Sequence, residues 1–444
     1  MATRRWLGNA VQITQVDTIT VANTWATNDT VTMTINGKSI VLTIKTDTST
    51  ANVATAIKEI WNGDTQSGTG AHISTPTFAD GGGNIIPEFR EVTASVSGSV
   101  VTLTADTAGK PFVLTVTETT AGSGTASEAT ATAATGKHFF NDTDNWSGST
   151  VPVDSDTVVF DNSDIDCLYA IDQNAVSPEI TKIYQSYTGR IGLPEINVDD
   201  TAYPYREYRD RFLKLNASGD SVTNDIDIGI GSGRGSQRIN MDLHSGTNLV
   251  TVHNSGSREL SNIPPVNLKG GGASSQLTIV KGDVGIALID GDTTTFTTVR
   301  MGYRDNRESD AKLYAGANAA LTTVNKDGGE LESWAAITTL TQHAGVTKHR
   351  QGAITTLNGR GGHVIYNSTT ALATATLTND CHLDFSQDLR AKAVTNPVER
   401  YGSDTKISDP FNVVGTLVFD NNQTSDLSGI DAGTHVRWTR GSVA

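Results

Sequence analysis

Apolar positions recur through nearly the whole chain, in two different rhythms. In the first stretch they alternate like strands or fall at helical spacing. Val31, Met33 and Ile35 alternate with threonine, Asn36-Gly37 is a strong hairpin signal, and Ile40, Leu42 and Ile44 alternate on the return. Thr50 stands where a helix N-cap is expected. Val53, Ile57, Ile60 and Trp61 then form the apolar stripe of a helix predicted over Ala51 to Asn62 and stopped by Gly63. Phe89 to Val96, Val100 to Ala105 and Phe112 to Thr117 are predicted strands. Residues 10–136 thus read as a small α/β module, whose low-complexity end, Thr119 to Gly136, reads as a linker.

From Lys137 the rhythm changes. Phe296-Thr-Thr-Val299, Leu321-Thr-Thr-Val324, Ile337-Thr-Thr-Leu340 and Ile354-Thr-Thr-Leu357 share one form, apolar, Thr, Thr, aliphatic. Ala373-Thr-Ala-Thr-Leu377 reads as a degenerate copy and Leu277-Thr-Ile-Val280 as an earlier relative. The intervals, about 16 to 25 residues, are the size of one solenoid coil, with Gly-rich corners between copies. An antiparallel sandwich would instead show hairpin turns between dissimilar strands. The expected fold class is mainly β: a parallel β-helix (solenoid) over residues 137–390 with the small α/β domain before it. Residues 1–9 form a leader, and residues 391–444, with Pro397 and Pro410, read as a C-terminal cap or interaction segment.

Composition agrees with many short strands and tight turns: threonine and valine suit a pleated surface, and 43 Gly against 11 Pro supply corners. The net charge of −15, without a basic stripe, excludes nucleic acid as the expected partner. No run reaches the length of a membrane span, so membrane insertion is not expected, and no secretory signal is recognisable after Met1. Cys167 and Cys381, far apart and without metal-ligand neighbours, read as buried thiols of a protein made in a reducing cytoplasm.

The stretch Asp144-Asn-Trp-Ser-Gly-Ser-Thr-Val-Pro-Val-Asp-Ser-Asp-Thr-Val-Val-Phe160 resembles the opening of many bacterial and phage β-helix proteins, where Trp and Pro close the first coil. The leader Ala2-Thr-Arg-Arg-Trp-Leu-Gly8 is similar to the start of a largely uncharacterised group of tailed-phage and prophage structural proteins. In that group a short strand ending in Trp runs almost directly into the Asn-Trp-Ser segment. Here residues 10–136 stand between the two, as if inserted, which leads to the expectation that Trp6 pairs back beside Trp146. The resemblance covers about the first 200 residues and the coil pattern, and it carries no catalytic residues to transfer. It implies a non-enzymatic virion structural protein, made in a host cytoplasm and assembled as a homotrimer with other capsid or tail proteins. A surface-displayed capsid decoration is the favoured form. The alternative is a tail fibre or tailspike component that binds or degrades host surface polysaccharide.

A polysaccharide-degrading solenoid needs paired carboxylates. Asp283, Asp290 and Asp292 are the best candidates, although Gly282-Asp283 and Asp290-Gly291 are also ordinary turn pairs. Asp225 and Asp227 alternate with Ile226 and Ile228 and should face solvent. Gly229-Ile-Gly-Ser-Gly-Arg-Gly235 meets neither phosphate-binding fingerprint and reads as a corner. His343, His349, His363 and His382 fall in successive coils and could stack around a metal. The absence of a His-x-His pair favours a structural reading, with His349 at an exposed corner between Lys348 and Arg350. No residue is therefore assigned to a metal or cofactor. Tyr203, Tyr205 and Tyr208 with Arg206, Arg209 and Arg211 break the coil pattern as an excursion. Tyr and Arg anchor interfaces, so these six, with Trp6 and Trp146, are the interface candidates; a carbohydrate platform and local packing are the other readings.

Overall fold

The computed structural model describes residues 2–46, 48–64, 72–75, 86–173, 175–197, 204–215, 223–256, 263–289, 291–302, 310–401, 404–420, 430–432 and 436–439. Its main architecture follows from the Thr-Thr motifs. Strict alternation would send positions i and i+3 of a strand to opposite faces. Yet Phe296 and Val299, Leu321 and Val324, Ile337 and Leu340, and Ile354 and Leu357 are all buried. The chain bends at the first threonine of each pair, where the ladder skips Thr297, Thr322, Thr338 and Thr355. Both aliphatics then point inward, and the four motifs stack in register, Phe296 over Leu321, Leu321 over Ile337, and Ile337 over Ile354.

From Leu213–Lys214 onward successive strands fall alternately into two long parallel sheets, which together form the parallel β-helix. One sheet has 14 strands, from Thr3–Arg5 and Thr157–Phe160 through Thr294–Met301 to Leu417–Asp420 and Val436–Thr439. The other has 11, from Leu213–Lys214 through Glu330–Ser333, His363–Tyr366 and His382–Asp384 to Ile430–Ala432. A single apolar core runs between them, from Trp6 and Phe160 to Ile407 and Val414.

Two coils differ from the expected alignment. Leu277 lies beside Val299 rather than Phe296, and Ile279 beside Met301, because the strand Thr294–Met301 runs on past its motif. Ala375, not Leu377, faces Leu357, while Leu377 faces Gly359. Gly359 explains the shift: a Cβ there would lie 2.9 Å from Leu377 Cδ2 and 2.4 Å from Cys381 Sγ, so the leucine and the buried thiol occupy that space. The coils also run beyond residue 390. Val398–Tyr401 and Lys406–Asp409 continue the two sheets in parallel register, so what reads as a cap segment carries further rungs.

The leader is the first rung. Thr3–Arg5 pairs in parallel with Thr157–Phe160, and Trp6 bridges Trp146 as expected. The two indoles meet edge to face at 5.2 Å, each about 1% exposed, with Phe140 and Phe160 packed on Trp146 at 4.9 and 5.8 Å. Each indole N–H is satisfied by a carbonyl, Trp6 by Ile165 and Trp146 by Phe140. Both tryptophans are therefore spent inside the chain and offer no surface to a partner.

The inserted module is two four-stranded antiparallel sheets and one helix, Thr50–Asn62. Asn36 and Gly37, both at positive φ, form the hairpin turn between Thr30–Ile35 and Lys38–Ile44. Ser49, not Thr50, caps the helix by accepting from the Asn52 amide, and left-handed Gly63 ends it. The stretch expected to be a linker contains a strand, Thr125–Thr132, paired along Val16–Ala22. Its alanines and threonines lack an apolar rhythm because it is an edge strand exposed on both faces from Ser127 to Thr132.

Among the ionisable residues buried in the β-helix are Lys326 and His349. Lys326, in register between Met301 and Gln342, is fully buried, and its ammonium donates to the Ala344 carbonyl at 2.6 Å. Burial pulls its pKa down to about 7. His349, expected at an exposed corner, ends the strand Val346–His349 with its ring stacked on Tyr366 and fully buried. Burial pulls it down to about 4, and Nε2 is 3.0 Å from the Gly352 carbonyl. Strand alternation makes it inward while the charged Lys348 and Arg350 flank it outward.

The lysine yields a test. Between pH 7 and about 10.5 the unfolded chain holds the Lys326 proton and the folded chain does not, so this group makes stability rise with pH across that window. Replacing Lys326 with Met removes the term. Thermal melts should show the variant's advantage over wild type largest at pH 7 and shrinking towards pH 10, where the orphaned Ala344 carbonyl dominates. A difference in Tm independent of pH would contradict a buried, readily neutralised lysine.

Candidate functional site

The outward face of the 11-stranded sheet carries a concave surface. Parallel register stacks Asn240, Asn267, Gly285, Tyr314 and Glu332 in one column. Gly285 leaves a gap in it that the following loop enters: a Cβ there would lie 2.3 Å from Leu288 Cδ1. On one side, the excursion doubles back as a short antiparallel ribbon, Ile196–Asn197 with Tyr205–Arg206. Between ribbon and sheet lies a groove of about 570 Å³, lined among others by Arg206, Arg211, Arg238, Asn267, Tyr314 and Trp334. Three guanidinium groups line this groove, that of Arg211 3.9 Å from the Glu195 carboxylate, in a chain of net charge −15. Trp334, 37% exposed, presents apolar surface at its edge, and Asn240 and Asn267 are joined by a hydrogen bond at 3.2 Å. An anionic molecule with one apolar face matches this chemistry: aromatic rings for stacking, guanidinium groups for carboxylate, sulfate or phosphate.

The carboxylate candidates separate. Asp283 lies near the start of the strand Gly282–Ile286, in a column with Lys312 and then Glu330, so charge alternates in sign from coil to coil. That is a solvated ladder. Asp292 lies beyond the other end of the strand, and Asp290 falls outside the described residues. Instead of meeting Asp283, Asp292 joins a cluster that sequence reasoning missed: Lys269 Nζ lies 3.1 Å from Asp210, 3.8 Å from Asp242 and 3.7 Å from Asp292. Burial raises the Asp292 pKa, and the neighbouring Asp210 and Asp242 charges add to the rise against Lys269. Burial also opposes ionisation of Asp210, but its hydrogen bonds and charge contact with Lys269 outweigh that and hold it low. A carboxyl whose pKa is raised thus sits beside a shared ammonium that also covers the Phe212 ring at 4.5 Å. Only knowledge of which coils adjoin could have assembled this set, since its members span residues 210 to 292.

The Tyr/Arg excursion divides by role. Arg206 and Arg211 line the groove. Tyr205, Tyr208 and Arg209 turn the other way, onto the inserted module. The Tyr205 hydroxyl donates to Glu91 at 2.9 Å and accepts from Asn36 at 3.3 Å. Burial, and then the Glu91 charge, push its pKa far up. Arg209 forks onto Glu207 at 3.0 and 3.3 Å and reaches the Pro111 carbonyl at 3.4 Å. Its guanidinium also lies over the rings of Tyr169 and Tyr208, each about 5 Å away. Tyr208 packs against the Gly37 turn, where a Cβ would be 3.3 Å from its own. Burial lifts its hydroxyl to about 12. These three are therefore internal mortar between module and β-helix rather than anchors for another protein. Tyr203 lies outside the described residues.

His343, His363 and His382 occupy outer positions of the β-helix. His343 Nδ1 is 2.7 Å from Asp327 of the preceding coil. His363 and His382 stack directly on one another. No helix among the described residues is long and apolar enough to cross a membrane.

No family model matches the chain, and no curated protein or solved structure matches it either.

The Arg209 fork gives a second test. Arg209→Ala leaves the buried Glu207 carboxylate without its main cation, a change that costs on the order of 3–5 kcal/mol in buried pairs. Because the fork lies between module and β-helix, the expected result is faster hydrogen exchange at Asn36–Gly37 and Phe112–Leu114, with the exchange of Thr294–Met301 unchanged. Uniform exchange across all three segments would mean that Arg209 supports the whole fold equally.

Proposed function

We propose that this chain is a non-enzymatic structural protein of a tailed-phage-like virion, displayed as a capsid decoration or accessory protein. The observation that carries the reading is the leader: Thr3–Arg5 and Trp6 form the first rung and cap with Trp146 and Thr157–Phe160, across the entire inserted module. That is the arrangement implied by the resemblance of the Arg-Arg-Trp leader and the Asn-Trp-Ser segment to tailed-phage β-helix proteins. A continuous in-register β-helix supplies a stiff body resistant to proteolysis, and the module fixed at its first coils supplies a display surface. Homotrimer assembly and contacts with capsid or tail proteins belong to the same proposal. Mass spectrometry and cryo-microscopy of purified particles test it. Hundreds of copies per particle are expected for a head decoration, and sedimentation of the isolated chain should give three times its 46.9 kDa. Absence from the particle would sink the proposal.

The groove favours a second reading, a tail-fibre component that binds an anionic host surface glycan. The observation behind it is the pairing of Trp334 and Tyr314 with Arg206, Arg211 and Arg238 in one concave lining. Glycan-array binding should single out uronate-, sulfate- or phosphate-bearing saccharides. Trp334→Ala should weaken that binding about tenfold or more, as loss of a stacking platform does elsewhere. Equal retention of neutral and acidic glycans, or an unaffected Trp334→Ala variant, would remove this reading. Reducing-sugar release from those glycans would shift it from binding to degradation.

A further inference from the structure

Three metal-ligating side chains converge near the later coils of the 11-stranded sheet. The strands His363–Tyr366 and His382–Asp384 pair in parallel, which puts His363 directly opposite His382 and Ile365 opposite Asp384. The two imidazoles lie 4.4 Å apart with their planes within 2° of parallel. Alternation along the strand returns Asp384 to the same face as His382, and its Oδ2 is 3.1 Å from His363 Nε2. One ligand atom from each of the three lies within 4.8 Å of the others.

We propose that His363, His382 and Asp384 form a binding site for a divalent transition-metal ion, best suited to Zn²⁺, with solvent as the fourth ligand. Two imidazoles and one carboxylate are a common zinc donor set, and an open fourth position is typical where only three protein ligands are present. Tetrahedral bonds of about 2.1 Å need donors about 3.4 Å apart, and an imidazole binds in its own plane, so at least one of the two parallel rings must turn as the donors close on the ion. The carboxylate is already aimed. Asp384 is 4% exposed, and its Oδ1 accepts from the Ser386 amide at 2.7 Å, which leaves Oδ2 turned to the histidines. The two rings are only half-buried, so an ion and its water can enter from outside.

His382 Nε2 lies 2.8 Å from Ser408 Oγ, a contact the ion would replace. The arrangement differs from the His-x-His pair that a metal on a symmetry axis would use. Here the two histidines come from successive coils, 19 residues apart in the chain, and the ion would tie those coils together.

Titration of the full chain with zinc chloride against a chromophoric zinc indicator tests this, with Co²⁺ as spectroscopic probe. One ion per chain is expected, with the intense visible absorption of tetrahedral Co²⁺ and a rise in Tm on adding zinc. His382→Ala and Asp384→Asn should each weaken binding about 100-fold or more, beyond what loss of a supporting contact costs. His343→Gln and His253→Gln, elsewhere on the β-helix, should leave it unchanged. Should His382→Ala fail to fold, Asp384→Asn together with the absorption of Co²⁺-loaded wild type decides the matter. Absence of stoichiometric binding by wild type, or binding that survives His363→Ala/His382→Ala in a folded protein, would overturn the assignment.

Discussion

Parallel in-register pairing is the constraint from which the rest of this structure follows. Each residue lies about 4.8 Å from its counterpart in the coils before and after it, so every column must tolerate its own repetition. Inside, columns such as Phe296, Leu321, Ile337 and Ile354 meet this with aliphatic or aromatic bulk in every coil. Outside, like charges in neighbouring rungs would repel, and the sequence alternates them. Asp283, Lys312 and Glu330 share one column, Glu332 and Lys348 another. Cross-coil contacts such as Lys348–Glu330 and Arg350–Glu332 follow from that alternation. As surface pairs each contributes at most about 1 kcal/mol, so their value lies in fixing register more than in stability.

The same constraint makes the ends of the stack vulnerable, since a terminal rung exposes unpaired backbone. At the first end that edge is the leader, a strand of only three residues, and the Trp6–Trp146 contact closes the core behind it. A whole module interrupts the connection without spoiling it because its two ends leave the β-helix side by side. Ile13 bridges Thr135, the Ala10 amide donates to Asn145, and a Cβ on Gly136 would come within 3.0 Å of Gln12. Insertion at adjacent points adds little loop-closure entropy to the host fold. The Tyr205, Tyr208 and Arg209 contacts then hold the module against the first coils, so its orientation is set by packing and not by the two connecting strands alone.

Much of this was legible in the residues. The Thr-Thr motifs predicted both the coil and its approximate length, and the Trp6–Trp146 contact followed from two short segments far apart in sequence. The failures share a cause. Leu277 and Ala373–Leu377 were aligned by similarity of residue type, whereas the true register depends on where each corner takes up extra residues and on voids such as that at Gly359. His349 was placed outside because its neighbours are charged, though alternation puts it on the opposite face from them. Thr125–Thr132 looked like a linker because an edge strand exposed on both faces has no apolar rhythm to show. The Lys269 cluster and the groove were invisible for a different reason: their members come from four or more separate coils, and composition says nothing about which coils the excursion covers.

Register also separates the histidines that matter from those that do not. A column that placed two protonated imidazoles 4.4 Å apart would be as unfavourable as two stacked lysines, so His363 above His382 is tolerable only while at least one ring is neutral. The next residue in that column is Lys406, which adds to the pressure against a second positive charge. Asp384 relieves it from the adjacent column, but one carboxylate shared with a half-exposed histidine is a weak counterweight at the pH where imidazole titrates. A divalent ion resolves the conflict in another way, because both rings bind it as neutral ligands and the carboxylate adds its charge. Stacking that is merely neutral among other ladder positions would thus become a specific stabilising link between two coils once the ion is bound.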